Sequence, residues 1–389
     1  MYPNLYFFLK DIFGEDAFSP GIAQFLSLFQ TFGIFLVLAF VSAGIIVYLE
    51  LKRKHEEGVL PELSQTLILG KPAGAWDLTK NALGGFLFGY KIVYILMNRS
   101  EFLGDAASVV LSSKGSLVGG IACAILLMGW KFWDSQRKKM DPPKEVRVPI
   151  KPQDKTGDLV FAGAISGILG AKLFAIFDPS GWSGFLTDPI GTLLSPSGLA
   201  VYGGLIVGFL FVFFYTKRLG IKPIHLMDCA APAIMLAYGV GRMGCHFSGD
   251  GDWGVVNELA KPGALSWLPD WLWSYDYPNN VNEDGILIPG CEGPYCHKLP
   301  QGVWPTPVYE TLMAVALFGV LWMIRKRVKI AGMLFFIYVI ITGVERFFIE
   351  RIRVNESYSN LATQAEIISV VLVLVGIVGC WWLWRREKK

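Results

Sequence analysis

Tyr202, Lys172, Arg242, Tyr309, Glu310, Arg346 and Glu350 stand in or at the ends of stretches that are otherwise apolar. A charge inside an apolar span is costly, and such a residue is a functional candidate by default. A guanidinium offers a planar fork that matches the oxygens of a phosphate. Two arginines, Arg242 and Arg346, therefore point to recognition of a phospholipid headgroup. Structural roles compete with this reading. Arg346 can pair with Glu345 or Glu350 at a helix end, and Lys172 can snorkel to the lipid headgroups.

The elements that must position these residues are membrane helices. Of the 389 residues 53% are hydrophobic and only 17% charged, with mean hydropathy +0.45, which excludes an ordinary soluble protein. Aromatic residues reach 14%, in keeping with interfacial belts. Apolar runs long enough to cross the hydrocarbon core, roughly 20 residues, occur at 25–49, 79–97, 116–134, 158–177, 199–216, 226–244, 306–324, 331–349 and 363–384. The fold expected is an all-α membrane protein with about nine transmembrane helices.

Basic residues set the orientation. Five clusters, at 52–54, 137–155, 217–222, 325–329 and 385–389, hold 21 of the 35 Lys and Arg and fall on alternate loops. By the positive-inside rule the N-terminus is external and the C-terminus cytoplasmic. Every charge named above then falls in the outer half of its span. Residues 1–20 lack the basic start of a signal peptide and read as an amphipathic arm on the membrane surface.

Two stretches align. From Asp77 and from Asp158 an Asp-Leu pair opens a glycine-rich span, a lysine follows 14 residues later (Lys91, Lys172), and a Gly-Gly pair recurs at 119–120 and 203–204. This implies a duplicated helical hairpin in parallel repeat. The organisation expected is an external arm at 1–24, a first span with a cytoplasmic segment at 25–76, an extra hairpin at 77–157, and a core at 158–389. The core carries an external loop at 245–304, either an ordered cap or mobile. That loop holds Cys291 and Cys296, which an oxidising compartment would allow to pair. A zinc site with His297 and His246 is the disfavoured alternative, and no metal is expected.

The segment GRMGCHFSGDGDWG at 241–254 resembles the signature of prolipoprotein diacylglyceryl transferases, a GR-x-G-N-F-x-N-G-E-x-x-G-like string. YGGLIVG (202–208) resembles the family's HGGLIG, WPTPVYE (304–310) its HP-[ST]-Q-LYE, and RFFIERIRV (346–354) its RF-x-x-E-x-x-R. GILGAKLFAIF (167–177) resembles the span before the HGG segment. The likeness covers about 158–389 and the first arm and span.

The resemblance implies transfer of the diacylglyceryl group of phosphatidylglycerol to a cysteine thiol in a prolipoprotein signal peptide. It implies no cofactor. The partners are then a phospholipid donor, the prolipoprotein and the lipid bilayer, with no nucleic acid, in the bacterial inner membrane. Arg242 and Arg346 match motif arginines and would stabilise the departing phosphate. Tyr202 stands at the motif histidine, Trp304 at a second histidine, and Asp250 corresponds best to the signature glutamate. The signature asparagine falls at Cys245 or His246, with one residue extra. The catalytic set is therefore Arg242, Arg346, His246 and Tyr202, with His246 taken as a loop residue able to serve as base. Gly203, Gly204, Ser248, Asp250, Tyr309, Glu310, Glu350, Arg353 and Lys172 form the substrate-binding set. Two other functions compete: a silent lipid-binding or scaffold homologue, and a transporter, which the one-sided placement of the charges disfavours.

Overall fold

The computed structural model describes residues 1–14, 17–104, 109, 114–177, 179–194, 200–291, 293–353 and 363–388. Each of the nine apolar stretches falls on a helix: α3 (Thr31–Glu56), α4 (Ala75–Met97), α5 (Leu117–Arg137), α6 (Thr156–Ile176), α7 (Val201–Arg218), α8 (Pro223–Ser248), α9 (Thr306–Ile324), α10 (Met333–Glu350) and α11 (Gln364–Glu387). Six of the described helices are long and apolar enough to cross a membrane. Their outward faces are apolar, with Val118 80% and Leu126 68% exposed, as a hydrocarbon solvent permits.

Several boundaries differ from expectation. The first span begins six residues later than 25, at Thr31, and continues to Glu56. Before it the arm folds as two short helices, α1 (Leu5–Phe13), capped by the Asn4 side chain on Phe7 N at 3.3 Å, and α2 (Pro20–Ser27). Helix α8 runs on to Ser248, so His246 and Ser248 lie on its last turn and not in a loop. The stop is Gly249, at φ +65°, whose N–H closes on Cys245 O at 3.0 Å. A left-handed residue at this position is the usual helix terminator.

Two small antiparallel pairs add to the helices. β1 (Leu63–Leu69) pairs with β2 (Lys144–Ile150), Leu63 opposite Ile150 and Leu69 opposite Lys144. β3 (Ile286–Leu287) pairs with β4 (His297–Lys298) in the outer loop.

The chain divides into two units, one of residues 1–59, 155–160 and 216–389, the other of 60–154 and 161–215. In the second unit both expected hairpins pair through glycine. A Cβ on Gly85 would meet Cys123 O at 2.6 Å, and one on Gly170 would meet Gly203 O at 2.6 Å. Small residues let helix backbones approach this closely in a membrane.

The first unit packs α8, α9 and α10 through Ala231, Met235, Ala314, Leu321 and Leu334. Its basic end is clamped by charge. Glu50, 1% exposed, accepts from Arg53 at 2.7 Å and from Arg325 Nε at 2.8 Å. Asp228, 4% exposed, takes Lys54 Nζ at 3.0 Å and the N–H of Gly332 at 2.9 Å, capping the start of α10. The outer loop is an ordered cap. Trp253, Tyr277 and Val303 form its core, and isolated bridges tie Gly254 to Arg353 and Val303 to Val256 and Tyr275.

Candidate functional site

At the opposite end of α8 the structure assembles a ring of two arginines and two carboxylates. Arg242 Nε meets Glu310 Oε2 at 2.6 Å, and its Nη1 pairs with Asp252. Arg353 Nη2 pairs with the other oxygen of Asp252, and its Nη1 lies 3.5 Å from Glu310 Oε1. Four segments meet here. Arg242 comes from α8, Glu310 from the second turn of α9, Asp252 from the turn after Gly249, and Arg353 from just past the end of α10.

The local backbone explains the convergence. Gly251 at φ +94° swings the chain back after α8, and Thr306 Oγ1 donates to Asp252 O at 2.9 Å. Val255 N donates to Ile352 O at 3.0 Å, which lays the 252–255 segment against the Arg353 backbone. The Tyr238 hydroxyl donates to Glu310, and the Arg242 guanidinium sits 5.2 Å from the Tyr238 ring centroid. Glu310 is fully buried, so two cations and two anions balance in a site with little water. Among the described residues Nη2 of Arg242 makes no hydrogen bond, and neither does the buried Nη1 of Arg353, which leaves guanidinium donors for a ligand.

Arg346 does not join this ring by any ion pair among the described residues. It pairs with Glu350, 3.1 Å away and one turn on, and Thr363 Oγ1 donates to the other Glu350 oxygen at 2.8 Å. The arginine that meets Arg242's partners is Arg353. Asp252, not Asp250, is the acidic residue of the signature that touches the arginines. Asp250 instead accepts from Asp252 N at 3.3 Å, and burial, then the nearby Asp252 charge, push its pKa up. Sequence reasoning left Tyr238, Asp252 and Thr306 out of the site set. It also left out Glu345, 5% exposed, whose Oε1 has no hydrogen-bond partner among the described residues.

His246 lines a cleft of about 1290 Å³ between the α1–α2 arm, the end of α8 and the outer loop. Cys291, disulfide-bonded to Cys296 with Cα atoms 5.6 Å apart, forms part of the wall. The imidazole is 5% exposed and caged by Phe247, Trp271, Tyr275 and Tyr277. Its Nδ1 lies 3.3 Å from the Tyr277 hydroxyl, and burial raises the Tyr277 pKa, so that phenol stays protonated. Where Nδ1–H donates to the phenol oxygen, Nε2 is the acceptor left for a substrate proton.

Of the remaining candidates, Tyr309 donates to Leu272 O at 2.6 Å and holds the loop. Ser248 is 1% exposed and bonded back to Gly244 O at 2.8 Å, so its hydroxyl serves the helix and is not offered to a ligand. Trp304, at a motif histidine's place, packs edge-on to Trp273 at 4.8 Å. Gly203, Gly204 and Lys172 belong to the second unit; Lys172 is buried at 8% and so is not lipid-exposed. The Tyr202 side chain lies outside the described residues. Cys245 Sγ and the carboxylates of Asp250 and Asp252 lie within 4.8 Å of one another. A cation there would face the two guanidinium groups on Asp252, so the group is poorly suited to a metal.

A bundle of long apolar helices with a buried arginine–carboxylate ring at one end defines a multi-pass membrane protein with a site for an anionic group. Residues 118–382 match the prolipoprotein diacylglyceryl transferase family. The phosphatidylglycerol–prolipoprotein diacylglyceryl transferase of Staphylococcus aureus (strain Newman) is 31% identical over 229 residues, 58% of this chain and 72% of that protein. Its counterpart in Staphylococcus haemolyticus (strain JCSC1435) is 29% identical over 239 residues, 61% and 75% of the two chains. The chain belongs to the prolipoprotein diacylglyceryl transferase family and is a transferase of lipoprotein biosynthesis.

Proposed function

We propose that this chain moves the diacylglyceryl group of phosphatidylglycerol onto the thiol of a prolipoprotein cysteine, at the outer face of the bacterial inner membrane. The sulfur attacks the diacylglyceryl carbon bonded to the phosphate oxygen. A C–S bond forms, the C–O bond breaks with its electron pair going to the phosphate, and glycerol phosphate leaves. The thiol proton passes to a base, for which His246 is the candidate. The thiolate is the competent nucleophile, so this transfer governs reactivity.

The observation that carries the reading is the ring at the family's own motifs. Arg242, Glu310 and Arg353 come from three separate matching segments and meet in space. Phosphate charge rises as the C–O bond breaks, and a guanidinium donor fixed by carboxylates is preorganised to receive it. The free Nη2 of Arg242 is that donor. With the basic clusters cytoplasmic, all nine long helices cross the membrane and the ring faces outward. The matching glycine contacts of the two hairpins support a duplicated origin.

Expression in a strain depleted of its own transferase tests this. Lipoproteins should regain a thioether-linked diacylglyceryl group, seen by mass spectrometry of the N-terminal peptide. A membrane-inserted chain that leaves prolipoproteins unmodified overturns it.

A further inference from the structure

The hairpin of α4 and α5 carries a second basic feature, built from residues that take no part in the ring. A pocket of about 490 Å³ opens where α4 begins and α5 ends, on the side of the basic 137–155 segment. Its lining includes Lys71, Lys80 and Lys131 against a single carboxylate, Asp77. That volume is in the range of small-molecule sites, roughly 300–1,000 Å³.

The frame is held in place. The turn after β1 needs Gly70, which sits at φ +77° with Met140 N donating to its carbonyl at 3.1 Å. A Cβ there would lie 2.6 Å from Met140 N. The turn then leads into the N-terminus of α4, where Asp77 accepts from Gly74 N at 3.4 Å. Asp77 is also taken by Lys80 at 3.3 Å, and Asp134 by Lys138 at 2.8 Å. Lys71 and Lys131 are left without an ion-pair partner among the described residues. Two ammonium groups outside any close ion pair thus face one pocket, Lys131 within electrostatic reach of Asp77 and Asp134.

Three tryptophans on these two helices are turned outward. Trp76 is 71% exposed, Trp130 61% and Trp133 56%. Lys80 Nζ lies 5.7 Å from the Trp76 ring, and the Arg137 guanidinium 4.4 Å from that of Trp133. Exposed indoles beside cations mark the headgroup level of a bilayer. Basic pockets between helices on the cytoplasmic side hold acidic headgroups.

We propose that this pocket binds the phosphate headgroup of an anionic glycerophospholipid from the leaflet on the basic-loop side. The phosphate sits between Lys71 and Lys131, and the acyl chains lie along the apolar faces of α4 and α5. The inference is independent of the transferase reading and rests on the membrane placement of the hairpin.

Native mass spectrometry of the purified full-length chain in detergent tests it, with added phosphatidylglycerol or phosphatidylcholine. A Lys71→Gln/Lys131→Gln variant should bind one phosphatidylglycerol about thirtyfold more weakly than the parent, from the attraction of two lysines near a phosphate. Phosphatidylcholine binding and transferase turnover should not change. A Lys71→Arg/Lys131→Arg variant keeps the charge and should retain the lipid. Equal phosphatidylglycerol binding by parent and glutamine variant overturns the proposal, as does equal loss in the arginine variant. Displacement of the lipid by an equal concentration of inorganic phosphate would mark a free-phosphate site and overturn the lipid assignment.

Discussion

Arg242→Lys separates a catalytic role from an anchoring one. Arg242 spends Nε on Glu310 and Nη1 on Asp252, and keeps Nη2 for a ligand. Lysine preserves the charge balance of the ring but brings one ammonium group in place of a three-nitrogen fork. It gives up one of two charge-assisted bonds, about 1.5–3 kcal/mol, so the variant should fold with reduced stability. It also loses the donor aimed at the departing phosphate. Removing one such preorganised donor costs about 10²–10³ in rate. Arg242→Gln is the contrasting perturbation. It leaves the fully buried Glu310 facing Arg353 alone, and breaking a buried pair costs about 3–5 kcal/mol, so this variant should be hard to isolate folded. The assay is a single-turnover measurement of thioether formation on a prolipoprotein peptide, with thermal unfolding of the same preparation. The loss in Arg242→Lys should sit in the chemical step and not in lipid affinity, because the phosphate charge grows in the transition state. A stable Arg242→Lys protein with near wild-type turnover would remove Arg242 from catalysis and leave it as an anchor of α8.

His246→Ala should reduce thioether formation more than Tyr202→Phe, because a neutral imidazole keeps a nitrogen lone pair that can take the thiol proton whereas a phenol is already protonated; the reverse ranking refutes His246 as base. Asp250 has its pKa raised by burial and by Asp252, so the native state binds its proton more tightly than the unfolded chain, and stability falls as pH rises from the ordinary carboxylate range through the raised value. Asp250→Asn should therefore stabilise the protein at neutral pH, with the gain vanishing as pH drops toward ~4, followed by denaturation in detergent across pH. Replacing Cys291 and Cys296 by serine removes a closure of six residues, worth about 2 kcal/mol in chain entropy, and should lower the unfolding temperature without abolishing folding. A cysteine placed at Lys144 should react only with membrane-permeant reagents; labelling by an impermeant reagent from outside would reverse the orientation and with it the outward-facing site.

The helical character was legible because a long apolar run stands out against polar loops, and six of the described helices are long and apolar enough to cross a membrane. The β1–β2 pair was not foreseen, although Val146, Val148 and Ile150 alternate as a half-buried strand should. That alternation sits in a segment whose lysines and arginines spoke for topology instead. At the site, motif order pointed to Arg242, Glu310 and Arg353, but not to which arginine would join which carboxylate. Arg346 and Glu350 are one helical turn apart and satisfy each other locally, whereas Arg353 lies past the helix end and is brought back by its bridge to Gly254. The choice between Asp250 and Asp252 depends on Gly251 turning at positive φ, which spacing alone does not reveal. The sequence puts His246 in a loop because apolar character fades at 244, while the helix itself ends where Gly249 takes a left-handed conformation.

The clamp at the basic end bears on how the chain is made. Glu50 and Arg325 are 275 residues apart, and Lys54 and Asp228 are 174 apart, so neither bond can form until much of the protein has left the ribosome. In the meantime Glu50 stands one turn from both Arg53 and Lys54 on the same helix, and such spacings let opposite charges meet. The first long helix can thus enter the bilayer with Glu50 already paired to Arg53. Later helices add to it as they arrive: Asp228 takes Lys54, and Arg325 then joins Arg53 on Glu50. Assembly thus adds ion pairs to the first helix in the order of synthesis. A chain cut short before Arg325 keeps the Glu50–Arg53 pair but never closes the clamp.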